Sequence, residues 1–183
     1  MEIVNFFEKL AGRWFSQRTT HALTSQQSKA GKSDLEVAFL AADAPEVQAL
    51  YQKSRDNQGE PLCGLKIQQS STIDGDPKPK VMTLLLVPLK PEPHENGGDR
   101  GILLRSGAPS QSKSTYTYTY DDEVLTIASE DSGNQSEERL WFINDNLRMR
   151  TGITELADGL RIASFCSEIR MGVKPPQESP KEG

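Results

Sequence analysis

The sequence predicts an all-β domain with minor helices: short antiparallel strands following one another as a meander that closes into a barrel. Three observations carry that reading. After residue 59 nearly all apolar segments are short and bounded by Gly, Pro, Asn and Asp. The YTYTY run over 116–120 alternates strictly, as a strand with two unlike faces must. Only two segments have helical periodicity, one at the N-terminus and one between the early strands.

The first helix rests on Ile3, Phe6, Phe7 and Leu10, spaced i, i+3, i+4, i+7, with Gly12 placed to end it. Strands are expected over 14–24 and 34–40. Asp43, Pro45 and Glu46 then predict a helix start with an Asp-x-x-Glu capping box, and Val47, Leu50 and Tyr51 form its apolar face. Further strands are expected over 62–70, 80–87, 101–105, 116–120, 123–129, 138–143, 147–153 and 160–171. Asp121-Asp122 and Ala157-Asp158-Gly159 read as hairpin turns. Two polar loops over 90–98 and 106–114 interrupt the pattern. The stretch over 174–183 has no apolar residue and reads as a disordered tail after a single domain over 1–173.

Composition narrows the function. The chain has 183 residues, enough to bury a sizeable core, with 35% hydrophobic and 26% charged residues and a net charge of -5. Its mean hydropathy is -0.58. No apolar stretch approaches the roughly 20 residues of a membrane helix, so no membrane insertion is expected. The opening lacks the basic and apolar regions of a secretory signal. The acidic balance argues against nucleic acid as a partner but allows a local basic pocket. Cys63 and Cys166 have no metal-ligand spacing and sit in strand-like apolar runs, where cysteine is usually a small buried hydrophobe. The only histidines are His21 and His94, the latter in a predicted loop, so no metal site is expected. Dinucleotide, phosphate-loop and nucleophile-elbow motifs are missing.

Strand alternation sorts the remaining polar groups. Trp14 on the first strand and Arg170 on the last become neighbours in a closed barrel, the arrangement of a cation–π lid in lipocalin-like barrels. A buried Trp beside an unrelated surface Arg satisfies the pattern equally. Arg148 and Arg150 share one face, about 7 Å apart, which suits a ligand with two carboxylates. Burial preferences favour the opposite orientation, with both arginines in solvent and Leu147 and Met149 in the core. Arg18 shares a face with Trp14, whereas His21 has opposite parity and reaches the same mouth only through a bulge. Glu168 shares a face with Arg170, and a salt bridge between them explains the pair.

These pieces occur together in one known family. The pair Phe6-Phe7, AGRWFSQRTTH over 11–21, SEERLWF over 136–142, NLRMRT over 146–151 and ASFCSEIR over 163–170 resemble the CpcS/CpeS-type (S-type) phycobiliprotein lyases. The likeness runs from about residue 3 to 171. It implies a lipocalin-like (calycin) barrel of about ten antiparallel strands with an N-terminal helix. It also implies an enzyme that binds a phycobilin such as phycocyanobilin, transiently and as substrate rather than as a prosthetic cofactor. The bilin would be joined by a thioether to a cysteine of an apo-phycobiliprotein, phycocyanin or allophycocyanin. The client's thiol adds to the ethylidene group of the A ring, so the lyase needs no cysteine of its own.

By the same resemblance Arg18, His21, Arg148, Arg150, Glu138 and Glu168 bind the bilin, with the arginines on its two propionates and the glutamates near pyrrole N–H groups. Trp14 and Arg170 are structural. Arg148→Glu is then expected to weaken bilin binding and leave thermal stability nearly unchanged. One stretch departs from the family. In IQQSSTIDG over 67–75, Gln69, Ser70 and Gly75 stand where active single-chain members carry Trp, Asp and a second Trp. The resemblance is therefore closest to the CpcU type, which implies weak bilin binding alone and a heterodimer with a CpcS-type paralogue, with a homodimer as the other possibility. A non-catalytic bilin carrier or scaffold subunit is the alternative function. A cytoplasmic location near phycobilisomes is expected.

Overall fold

The computed structural model describes residues 2–54, 59–93, 98–107 and 115–172. His94, most of the two predicted polar loops and the predicted tail lie outside them.

Helix α1 (Ile3–Leu10) is followed by strands β1 (Gly12–Ala22) and β2 (Gln27–Ala41), then helix α2 (Pro45–Lys53). The remaining strands are β3 (Cys63–Ile73), β4 (Asp76–Pro88), β5 (Glu92–Pro93), β6 (Asp99–Ser106), β7 (Thr115–Asp121), β8 (Val124–Asp131), β9 (Asn134–Asn144), β10 (Leu147–Glu155) and β11 (Arg161–Arg170). They hydrogen-bond in the order β4-β3-β2-β1-β11-β10-β9-β8-β7-β6, and a β4–β6 pairing closes the ring. The result is a ten-stranded antiparallel barrel, with the two-residue β5 paired, among the described residues, only to β6. First and last long strands meet as expected, Trp14 opposite Arg170 and Arg18 opposite Cys166.

Helix α1 plugs one end. Ile3, Phe6, Phe7 and Leu10 are all buried in the main core, and the Phe6 ring lies 5.1 Å from that of Tyr120 and 5.3 Å from that of Phe142. Helix α2 packs outside the wall, where Val47 joins Val87, Leu89 and Leu104 in a second cluster. Gly64 makes that approach possible, because a Cβ there would lie 2.5 Å from Val47 Cγ2.

Three local expectations are corrected. Gly12 does not end α1; Ala11 does, in an extended conformation, and Gly12 begins β1. Asp43 is not a cap. The N-cap of α2 is Ala44, which makes no side-chain cap bond, and Glu46 pairs instead with Lys66 on β3 at 2.7 Å. The β7–β8 turn is one residue later than predicted, with Asp122 and Glu123 both at positive φ, the geometry of a tight hairpin turn between right-twisted strands.

Candidate functional site

Away from α1 the barrel interior holds a cavity of about 340 Å³. Its inner, apolar part is closed by Phe7 and Leu10 of the helix and walled by residues such as Leu35, Ile67, Leu84 and Ile127. Strand parity then brings four guanidinium groups to the lining, those of Arg18, Arg105, Arg148 and Arg150. Two carboxylates offset them, Glu138 in the lining and Glu168 behind the arginines of β10. The site is net positive by two charges in a chain of net charge -5. Such a cavity favours a dianion with an apolar body.

Arg148 is deeply buried at 4% exposure. Its Nε–H donates to Glu168 Oε2 at 2.5 Å, and a terminal N–H donates to the Leu10 carbonyl at 3.3 Å. Arg150 approaches the other oxygen of Glu168 at 3.1 Å. Burial lowers the Arg148 pKa to about 10 although Glu168 opposes the shift. For Arg150 burial acts in the same sense, but Glu138 and Glu168 outweigh it and raise the pKa. Both guanidinium groups are charged at neutral pH. Burial opposes ionisation of Glu168 too, yet Arg150 and Arg148, with a hydrogen bond from Ser16, hold its pKa below the ordinary value. The three groups form a mutually paired buried triad rather than isolated charges, although the Arg150 Nε–H and Glu168 Oε1 have no hydrogen-bond partner among the described residues.

Leu147 and Met149 take the outer face, half-buried, so the arginines and not the aliphatic residues of β10 fill the interior. Arg18 stands beside Arg150: both donate to Cys166 Sγ, at 3.3 Å and 3.9 Å. Cys63 is buried, and burial pushes its thiol up to about 12, an inert group.

Trp14 is buried and donates its indole N–H to the Leu10 carbonyl at 3.0 Å. Two guanidinium carbons lie over its ring, Arg170 at 4.2 Å and Arg148 at 4.1 Å. Arg170 also donates to the carbonyls of Ala11, Lys9 and Asp145 at 2.6, 2.8 and 2.9 Å, which ties α1 to the barrel. Gly12 leaves room for it: at φ +124°, a Cβ there would be 2.6 Å from a guanidinium nitrogen of Arg170. The two Trp14–Arg170 readings resolve in favour of the cation–π lid.

The geometry corrects four expectations. Glu168 pairs with Arg148 and Arg150, while Arg170 spends its donors on carbonyls. His21 is exposed: β1 keeps unbroken register with both neighbours, so no bulge turns His21 toward Arg18. Arg148→Glu is instead expected to cost stability, because it would bury two carboxylates against each other. Of the three departures in 67–75, only Gln69 lines the cavity, bonded to Ser71 Oγ at 2.6 Å. Ser70 is exposed on the outer face, and Gly75 sits in the β3–β4 turn with nothing near its Cβ position. Arg105 is the residue sequence reasoning passed over as a site residue. Its signal was parity with Leu103, which points both inward.

The CpeS-like protein family profile matches residues 2–171. The chain belongs to this family. A chromophore lyase CpcS/CpeS of Thermosynechococcus vestitus is 37% identical over 98% of both chains. One from Trichodesmium erythraeum is 36% identical over 93% of this chain and 98% of its own. The solved S-type phycobiliprotein lyase CpeS of Guillardia theta superposes with a TM-score of 0.78 at 25% identity, covering 95% of each chain. The CpeS-like barrel of this chain thus matches its relatives over almost its whole length. Among the described residues no helix is long and apolar enough to cross a membrane.

Proposed function

We propose that this chain is a phycobiliprotein chromophore lyase, or a subunit of one, that receives a phycobilin such as phycocyanobilin in its barrel and assists thioether attachment to a cysteine of phycocyanin or allophycocyanin subunits. The observation that carries this reading is the interior charge: two excess guanidinium charges over an apolar floor, against a linear tetrapyrrole with two propionates. The names of the relatives, chromophore lyases, point the same way.

In the attachment step the client thiol adds across the ethylidene double bond of the A ring. A carbon–sulfur bond forms, the thiol proton passes to the pigment, and nothing is oxidised or reduced. The barrel's contribution is positioning. Arg18 and Arg150 take a carboxylate, Glu138 faces pyrrole N–H groups, and the apolar walls take the rings. Holding the pigment in one conformation turns a promiscuous addition into a directed one.

Gln69 favours a second element of the reading. An amide at an interior position offers no aromatic face to stack on pigment rings. The isolated chain therefore binds bilin weakly and works as a cytoplasmic 1:1 complex with a CpcS-type paralogue, in which it is either a lyase subunit or a non-catalytic carrier. One reconstitution separates these roles. The pure chain is mixed with phycocyanobilin and an apo-subunit, with and without the paralogue, and covalent colour is followed on a denaturing gel. Attachment without the paralogue rejects the carrier role, and no attachment in either mixture rejects the lyase reading.

A further inference from the structure

Arg105 and Arg150 share an unusual state. Each has a buried Nε–H with no hydrogen-bond acceptor among the described residues. Buried donors are almost always satisfied, and leaving one unpaired is costly. Both side chains line the cavity, so the acceptor they lack is one that an incoming ligand can bring. In the ring of ten strands β6, which carries Arg105, lies four strands from both β10 and β1. Arg105 therefore faces Arg150 and Arg18 from a nearly opposite wall. The two walls also differ in compensation. Arg150 has Glu168 at 3.1 Å, whereas no salt bridge to Arg105 occurs among the described residues. Arg105 instead lies 5.1 Å from the Tyr116 ring centroid, a contact that orients a guanidinium without neutralising it.

We propose that the cavity is a two-walled dicarboxylate clamp in which Arg105 binds the second carboxylate of the ligand, while Arg18 and Arg150 bind the first. This rests on the bilin reading and adds a requirement to it: the site selects linear pigments whose two carboxylates are both free. A single cationic wall would hold a monoacid as well as a diacid. Opposed walls make the two carboxylates cooperate, because binding of one sets the position of the other.

The test is absorbance titration of the full chain with phycocyanobilin and with its dimethyl ester, for wild type, Arg105→Gln and Arg105→Lys, with melting temperature as the folding control. Wild type should bind the diacid at least about tenfold more tightly than the ester, since charge-assisted hydrogen bonds are lost in the ester. Arg105→Gln should lose the second carboxylate's share of that preference, about tenfold, by weakening the diacid alone, and Arg105→Lys should recover part of it. Equal diacid affinity in wild type and Arg105→Gln, or equal loss for diacid and ester, overturns the clamp while leaving the bilin reading intact. Wild type that binds neither pigment, alone or mixed with the CpcS-type paralogue, overturns the bilin reading, and the clamp with it.

Discussion

Glu168 accepts the Nε–H of Arg148 at 2.5 Å from the directly opposed position on the neighbouring strand. The pair is almost fully buried, with side-chain exposures of 1% and 5%. It sits between the plugged end of the barrel and the cavity, where Arg148 also reaches the Leu10 carbonyl at the end of α1. One carboxylate thus joins the plug, the wall and the cationic lining.

Removing that carboxylate leaves two buried guanidinium groups without their partner. Glu168→Gln should cost about 3–5 kcal/mol of stability, the usual penalty for breaking a buried pair. Urea unfolding at neutral pH measures it. A loss below about 1 kcal/mol would mean that solvent reaches the triad.

The same carboxylate fixes an acid limit. Its folded-state pKa lies below the ordinary 4.5 because Arg150 and Arg148 outweigh the cost of burial. A depressed folded pKa gives a contribution fully present above the unfolded value and lost as pH falls through the folded one. The stability gap between wild type and Glu168→Gln should hold from pH 7 to about 5 and close below about 4.5. A gap independent of pH down to 3 would assign the loss to packing.

Arg18 is partly exposed and makes one side-chain hydrogen bond among the described residues, to Cys166 Sγ. Arg18→Gln should weaken phycocyanobilin binding about tenfold, the value of one charge-assisted contact, and leave the melting temperature nearly unchanged. Unchanged affinity would place the carboxylates elsewhere.

Only Gln69 of the sequence departures faces the cavity. Gln69→Trp should therefore strengthen bilin binding by the isolated chain, and Ser70→Asp should add nothing to it because position 70 is exposed on the outer face. Absorbance titration of each single variant decides this. A gain carried by Ser70→Asp would contradict the strand parity.

Strand parity is also what made the sequence legible. Strict alternation placed the strand over 116–120, short apolar runs between turn residues placed most of the others, and i, i+3, i+4, i+7 spacing placed α1, because these signals act locally. Facing was harder. Parity put Arg148 and Arg150 on one face but could not say which face was inside, and it put Glu168 with Arg170 when the true partners lay across the β10–β11 ladder. Partners on adjacent strands depend on register, which no single segment encodes. Arg105 was missed for a related reason: its relation to Arg18 and Arg150 exists only once β4 meets β6 and the ring closes. The capping box at Asp43 failed because the chain enters α2 at Ala44, and Glu46 finds a lysine on the adjacent wall.

The central claim is that the cationic barrel interior is where the pigment sits. Visible circular dichroism of phycocyanobilin bound to the full chain tests it most directly, because a tetrapyrrole held in one chiral environment acquires a signal that the free pigment lacks. Ser164 lines the cavity, and Ser164→Trp would fill it with an indole. Wild type is predicted to induce the signal, and Ser164→Trp, folded by its melting curve, to abolish it. An undiminished signal in the folded Ser164→Trp variant would contradict the claim.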